Sequence, residues 1–135
     1  MAHAYQAQTI QKLKIEPPGT FTGKEDFDRW LKRVTNYLSL TDENYNTLIK
    51  LIADHPKSVL NAATHNGIDF RYRLDPGTAQ QMSKQLYYIL DGLLDGTTAP
   101  WTIFDSENDM NGFEVLRKLI DRYMRGKQMK VIPFW

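Results

Sequence analysis

"LYYILDGLLDGTTAPWTIF", residues 86–104, is the stretch of sequence that decides the fold. It is apolar and nearly uncharged, but Asp91 and Asp95 interrupt it, and a membrane-spanning helix needs about 20 consecutive, mostly apolar residues. Its first half continues a pattern of apolar residues at spacings of three and four, which predicts a helix buried inside a bundle. The residues on this buried face are Met82, Leu86, Ile89, Leu90 and Leu93.

The boundaries of this helix follow from the residues around it. Its start has two candidates, Asp75 followed by Pro76, or Thr78 with a glutamine three positions later. Gly92 lies inside the helix, where a missing side chain tolerates the close approach of a neighbouring element. Gly96 lies just past the last apolar position, where glycine commonly ends a helix.

Other segments also repeat apolar residues at helical spacing, and two of them begin with a capping-box pattern. Thr22 with Glu25 precedes the first of these segments, and Asn111 with Glu114 precedes the last. In such a pair each side chain satisfies a backbone N–H group that the helix start leaves free. The apolar faces are Phe27, Trp30, Leu31, Val34, Tyr37 and Leu38; Tyr45, Leu48, Ile49 and Ile52; and Phe113, Leu116, Leu119, Ile120 and Tyr123.

These patterns predict an all-α fold, a compact bundle of about five to six helices. Because the inward faces of three helices meet in such a bundle, five large apolar residues should be buried together, with residues 100–104 forming a short helical turn that closes one end. The five are Trp30, Leu31, Leu90, Trp101 and Leu116.

Residues 56–75 give a less regular pattern. Pro56 favours the first turn of a short helix that ends at "HNG", residues 65–67. In "IDFRYRL", residues 68–74, apolar and charged residues alternate, as they do in a β-strand. A strand needs a partner, so this segment is predicted to be either one short strand paired with a terminal segment or an extended loop.

The two ends of the chain differ in composition from the middle. Residues 1–19 are polar, show no helical period and end in "EPPG", which predicts a flexible arm followed by a turn. Residues 125–135 combine basic and apolar side chains. We therefore divide the chain into an arm (1–19), a helical domain (20–124) and a basic/apolar tail (125–135).

Composition and motifs disfavour several functional classes. Seventeen basic and sixteen acidic side chains give a formal charge of +1, so no net field attracts nucleic acid or an anionic membrane, and there is no cysteine for a disulfide, a thiolate or a zinc knuckle. His55 and His65 lack the spacing of a helical metal site, and Asp91 with Asp95 fits a solvated helix edge better than an acid/base pair. Residues 105–118 match a calcium loop in neither frame.

The chain also contains no Gly-rich phosphate loop and no nucleophile elbow. We therefore predict that the protein is not an enzyme and that it uses no metal ion and no cofactor. The first thirty residues lack the pattern of a secretory signal, which favours a cytoplasmic location.

One local charge bias remains near the end of the sequence, where six basic residues and one acidic residue, Asp121, lie within fourteen positions. Such a run is often the solvated face of a terminal helix, but it also fits phosphate contacts. No aromatic stacking platform beyond Tyr123 accompanies it, so any binding to RNA or DNA should be weak and non-specific. The candidate nucleic-acid contacts are Arg117, Lys118, Arg122, Arg125, Lys127 and Lys130.

The tail adds apolar side chains to a domain whose helices already have enough apolar surface to close a core. Large exposed apolar patches usually mark interaction surfaces, so we predict that the chain forms a homo-oligomer. The alternative is a tail that folds back onto its own domain. The candidate assembly contacts are Val131, Ile132, Phe134 and Trp135.

Three segments, taken in order, resemble the Gag capsid region of long-terminal-repeat retrotransposons and its domesticated descendants. "FTGKEDFDRWLKRVTNYL" resembles the opening Phe-x-Gly of that family, a short spacer and a helix with Trp and a later aromatic residue. "LLDGTTAPW" is similar to its Leu-x-Gly-x-Ala-x-x-Trp element with an altered interval, and "NGFEVLRKLIDRY" to the element that ends in Arg-Tyr or Arg-Phe. The resemblance extends from about residue 21 to residue 123, although residues 69–75 have no counterpart.

This resemblance implies a helical capsid lobe that self-associates, or that binds partner peptides if it is domesticated, and it implies no active site. It further implies that Gly96 and Ala99 let core helices approach while Trp101 fills the gap. The function predicted from the sequence is therefore a structural, self-assembling domain. The alternatives are a helical nucleic-acid-binding module that uses the basic terminal helix, and an adaptor domain that binds peptides in an apolar groove.

Overall fold

The computed structural model describes residues 16–124, which form six α-helices and contain no β-strand. In chain order they are α1 (Phe27–Ser39), α2 (Asn44–Asp54), α3 (Ala62–Arg71), α4 (Thr78–Leu93), α5 (Ala99–Asp105) and α6 (Gly112–Tyr123). The predicted all-α bundle of five to six helices is confirmed. Most of the predicted arm and the whole predicted tail lie outside the described residues.

Helix α6 is the central element of the bundle. It packs against α4, α2 and α5, and most of its residues are buried. Leu90 and Leu116 are fully buried, and Trp30 and Leu31 are buried as well, as predicted. Trp101 is only half-buried and packs at the edge of the core, so the prediction was wrong for this residue.

Phe21 ties the segment before α1 to the rest of the bundle. Its backbone N–H donates a hydrogen bond of 2.8 Å to the Leu93 carbonyl at the end of α4. Its ring is fully buried, with centroids 5.1 Å from the Trp30 ring and 5.0 Å from the Tyr123 ring. Gly23 follows with a φ of 96°, a backbone conformation that favours glycine.

The predicted Thr22–Glu25 capping box before α1 is only half formed, because the Thr22 hydroxyl donates to the Glu25 carboxylate, and it lies about one turn upstream of the helix. The Thr22 N–H donates to the Glu25 carboxylate at 2.7 Å. The helix itself begins at Phe27, and Asp26 is the N-cap residue whose carboxylate accepts from the Arg29 N–H. The pair therefore stabilises the turn that leads into α1.

The segment predicted to be a strand or loop, residues 68–74, is mostly helical. Helix α3 begins after Asn61, which forms a reciprocal capping box with Thr64, and it runs through "HNG" without stopping. A glycine inside a helix costs only about 0.5–1 kcal/mol, so Gly67 does not end it. The alternation was misleading because Ile68 and Asp69 are both buried, whereas a strand would have placed these neighbours on opposite faces.

Helix α3 is joined to α4 by the buried carboxylate of Asp69. It accepts hydrogen bonds from the Gly77 N–H at 2.9 Å and the Ala79 N–H at 2.8 Å, two donors at the start of α4. Asp69 thus caps α4 from a different helix, and this explains why α4 begins at Thr78 without a side-chain cap of its own.

The predicted roles of the glycines near the end of α4 were wrong. A Cβ atom on Gly92 would meet nothing within 4 Å, so no element approaches it closely. The helix ends at Leu93, before Gly96, because the chain turns extended at Leu94 and pairs with Phe21. Ala99 is exposed, and a Cβ atom on Gly96 would lie 3.9 Å from the Trp101 ring, an ordinary contact.

The close helix–helix approach is at Gly112, the first residue of α6. A Cβ atom there would lie 2.5 Å from the Ser83 carbonyl oxygen and 2.8 Å from the Leu86 carbonyl carbon, and closer still to the backbone nitrogen of Tyr87. Because these are backbone atoms of α4, only glycine lets the two helices cross at this distance.

Candidate functional site

The three described members of the predicted nucleic-acid cluster lie in different surroundings. Arg117 is buried, 8% exposed, which corrects its assignment as a surface contact. The Lys118 ammonium lies 3.7 Å from the Glu107 carboxylate, and the Arg122 guanidinium lies 5.6 Å from the centre of the Tyr123 ring. The other three members and the four predicted assembly contacts lie outside the described residues: Arg125, Lys127, Lys130, Val131, Ile132, Phe134 and Trp135.

Arg117 is buried because it forms a two-pronged ion pair with Glu114. The guanidinium donates from Nε to Glu114 Oε1 at 2.6 Å and from Nη2 to Oε2 at 2.8 Å, and its Nη1 donates to the Pro56 carbonyl at 2.7 Å. Hydrogen bonding to Glu114 raises the pKa of the Arg117 guanidinium. The pair therefore attaches the loop before α3 to the central helix.

The same loop is held by Asn111, the N-cap residue of α6. Its amide nitrogen donates to the Leu60 carbonyl at 2.9 Å, and the Leu60 N–H donates back to Glu114 Oε1 at 3.0 Å. The Asn111 carbonyl oxygen accepts from the Ser83 hydroxyl at 2.7 Å and from the Glu114 N–H at 3.1 Å. Each of these buried polar groups has partners, as the low dielectric of an interior requires.

A cleft of about 580 Å³ opens above this network, between α3, α4 and the loop that leads into α6. Its polar floor is formed by buried residues, and the loop of residues 105–110 carries three carboxylates and no basic side chain. The lining residues are Val59, Leu60, Asn61, Ala62, His65, Gln80, Ser83, Lys84, Glu107, Asp109, Met110, Asn111 and Glu114.

His65 lies in the wall of this cleft and differs from its neighbours. Its side chain is 4% exposed, and its Nε2 is the one buried side-chain nitrogen or oxygen in residues 16–124 without a hydrogen-bond partner. Burial lowers the pKa of the imidazole, and the nearby carboxylates of Asp69 and Glu114 partly oppose that shift. An orphaned buried polar atom in a native structure requires an explanation.

The rim of the cleft carries exposed apolar side chains. Val59 is 56% exposed and Met110 is 45% exposed, and both line the cleft. Met110 has a φ of 52°, a left-handed conformation that is unfavourable for residues other than glycine, and its sulfur accepts a hydrogen bond of 3.3 Å from the Tyr88 hydroxyl. A strained backbone that holds an apolar side chain in solvent is a feature typical of functional sites.

Helix α3 displays a further apolar group on its outer face. Phe70 is 89% exposed, and its helical neighbours Ala63 and Gly67 are small and exposed. Beside this face, between α2 and α3, lies an apolar groove of about 190 Å³. Its lining residues are Leu51, Ile52, His55, Ser58, Leu60, Thr64, Ile68 and Arg71.

Sequence reasoning considered His65 only as a metal ligand or catalyst and did not single out Phe70 or Met110. A helical reading of residues 62–71 would have found Phe70, because it lies about 200° around the helix from the buried Ile68. No local sequence signal identifies Met110, whose exposure depends on how the 105–110 loop meets α4.

Residues 16–124 contain no group of three or more His, Asp or Glu side chains arranged to bind a metal ion. Within that same range, none of the helices combines the length and the hydropathy needed to cross a membrane. Comparison of the chain with protein-family models, with curated proteins and with solved structures found no match.

Proposed function

We propose that this chain is a structural domain that self-associates, in the manner expected of a Gag-type capsid lobe. The observation that carries the proposal is Phe70, a large apolar side chain that is 89% exposed in the last turn of α3 although the bundle has closed its own core. Burying a phenylalanine side chain is worth about 1.5–3 kcal/mol, so a second copy that covers this face gains free energy at little geometric cost.

The surroundings of Phe70 support a helix–helix contact. Gly67 and Ala63 lie one and two turns before it on the same exposed face of α3 and leave room for a partner backbone. The adjacent groove between α2 and α3 is lined mainly by apolar atoms and can receive an aromatic ring. A two-fold contact would let each copy place its Phe70 against the α3 face of the other.

The segments that resemble the Gag capsid region also meet in space, which supports the same proposal. Phe21 packs on Tyr123, and a Cβ atom on Gly23 would lie 3.3 Å from the Tyr123 hydroxyl and 3.4 Å from Pro100. The three quoted segments therefore pack against one another, as the resemblance implies.

The experiment is sedimentation velocity of the full chain over a wide concentration range, compared with Phe70→Ser. The weight-average mass should rise with concentration in the parent chain, and Phe70→Ser should lower the association constant about tenfold or more, because the buried side chain is lost. Asn66→Ser, on the same exposed face, is the matched control and should associate like the parent. A chain that stays monomeric at every concentration would overturn the proposal.

A further inference from the structure

The cleft beside α3 combines three independent features that indicate a ligand. Its wall contains the orphaned Nε2 of His65, its rim holds Val59 and Met110 in solvent, and its acidic edge is formed by the 105–110 loop. The Asn111 and Glu114 groups beneath it are already hydrogen-bonded within the protein, so they shape the floor and leave His65 to meet the ligand.

These features define the chemistry of the ligand. A buried imidazole nitrogen needs a single hydrogen-bonding partner, which a backbone amide group of an extended peptide provides. The apolar rim favours aliphatic or aromatic side chains. Asp109 on the rim favours positive charge nearby, whereas Glu107 already faces the Lys118 ammonium at 3.7 Å.

We propose that the cleft binds residues 125–135 of a neighbouring copy of this chain, an inference that rests on the proposed self-association. This segment, "RGKQMKVIPFW", contains three basic and no acidic side chains, followed by Val131, Ile132, Phe134 and Trp135. Its basic part complements the acidic loop, and its apolar part complements Val59 and Met110. The backbone between them supplies the partner for His65.

The segment is assigned to another copy on the strength of the proposed self-association. The cleft lies at the N-terminal end of α6, and residue 125 follows the opposite end, about 18 Å away along a twelve-residue helix. Eleven extended residues can span about 36 Å, so the segment could also reach the cleft of its own chain, and the labelled-chain experiment below separates the two cases. A neighbouring copy can insert its segment directly.

This contact joins different surfaces of the two copies. A head-to-tail contact of this kind produces a ring if the rotation closes and an open array if it does not. A two-fold contact through Phe70 would then link such rings or arrays to one another.

Site-specific photo-crosslinking of the full chain tests the proposal. A benzophenone amino acid replaces Trp135, isotopically labelled and unlabelled chains are mixed, and the adducts are mapped by mass spectrometry. We expect adducts at Val59 or Met110 that join a labelled chain to an unlabelled one. The same probe in place of the exposed Lys50 is the matched control and should give no adduct at these two residues.

A charge reversal provides the second measurement. Asp109→Lys should lower the yield of the inter-chain adduct about two- to fivefold, the effect expected from one exposed charge pair, and adding Lys130→Asp should restore it. Asp54→Lys, an exposed reversal on α2, should leave the yield unchanged.

Adducts within a single chain, adducts at other residues, or no adducts would overturn this inference. The proposed function is judged separately by the sedimentation experiment. Association that persists while the adducts avoid the cleft would refute the docking site alone, and a strictly monomeric chain would refute both.

Discussion

The crossing of α4 and α6 and the cleft next to it both contain buried polar side chains. They differ in whether these side chains have hydrogen-bond partners. At the crossing, Ser83, Asn111 and Glu114 share a closed set of hydrogen bonds around Gly112. In the wall of the neighbouring cleft, where the His65 ring lies 6.1 Å from the Phe113 ring of α6, His65 Nε2 has no hydrogen-bond partner. The comparison separates polar residues that specify the fold from one that is left for a ligand, because an unpaired buried group costs stability unless something binds it.

The largest expected effect tests whether the crossing tolerates any added atom. Gly112→Ala would place a Cβ atom against the α4 backbone at Ser83 and Tyr87, which cannot move as a flexible side chain can. We expect a loss of more than about 4 kcal/mol in the free energy of unfolding, or no folded protein. Gly92→Ala, a helical glycine with open space around it, should instead change stability by no more than about 1 kcal/mol, with a gain expected. Similar urea midpoints for the two variants would show that the crossing is looser than described.

The second effect tests the closed network by removing one of its charges. Glu114→Ala leaves the buried Arg117 guanidinium without its carboxylate and the Leu60 N–H without its acceptor. Breaking a buried ion pair in this way should cost about 3–5 kcal/mol. Lys57→Ala removes the exposed Lys57–Asp121 pair and should cost less than about 1 kcal/mol, because solvent screens it. Chemical denaturation of both variants measures the difference, and equal losses would contradict the distinction between them.

Much of the fold could be predicted from the sequence, because helical periodicity and capping residues act locally. The stripe that contains Leu90 and the Asn111 cap of α6 both lie where the pattern places them. The region around α3 could not be predicted in this way. Its start depends on a short Asn61–Thr64 cap, and its Asp69 acts on a different helix, so the residues that decide it are partners in space rather than in sequence.

The candidate site was harder to predict than the fold for the same physical reason. Arg117 belongs to a basic run in the sequence, but its charge is neutralised by Glu114 one turn earlier and it is buried with it. Gly112 was overlooked because its importance comes from the backbone of α4, which no residue near it in the sequence indicates. The cleft, the helix crossing and the burial of the ion pair all arise from packing between residues that are far apart in the sequence.

A third effect tests the apolar core that both regions share. Leu90 is fully buried in α4, and Leu90→Ala should lower the free energy of unfolding by about 2–5 kcal/mol through lost burial and the cavity left behind. Asp91→Ala, at the exposed next position, should be neutral or slightly stabilising, since alanine is the better helix former. An unchanged melting temperature in Leu90→Ala would mean that the face of α4 that contains Leu90 does not belong to the core.

The smallest expected effect concerns the unpartnered group itself. The pKa of His65 is lowered by burial, chiefly through loss of solvation, so the folded state resists protonation of the imidazole below the ordinary value of 6.5. Between pH 6.5 and the lower pKa of the folded state, the unfolded chain binds one more proton than the folded chain. The stability that His65 contributes is therefore fully present above pH 6.5 and declines as the pH falls. For one proton the slope cannot exceed about 1.4 kcal/mol per pH unit.

His65→Phe should remove this component of the pH dependence, whereas replacing the exposed His55 with glutamine should leave it in place. Urea unfolding between pH 5 and pH 8, a range of about three units that includes the ordinary histidine pKa, measures the slope of the free energy of unfolding against pH. The protein concentration is kept low enough for the chain to stay monomeric. If His65→Phe kept the parent slope, the imidazole would not be held neutral by burial, and the contrast between the cleft and the closed network would lose its electrostatic basis.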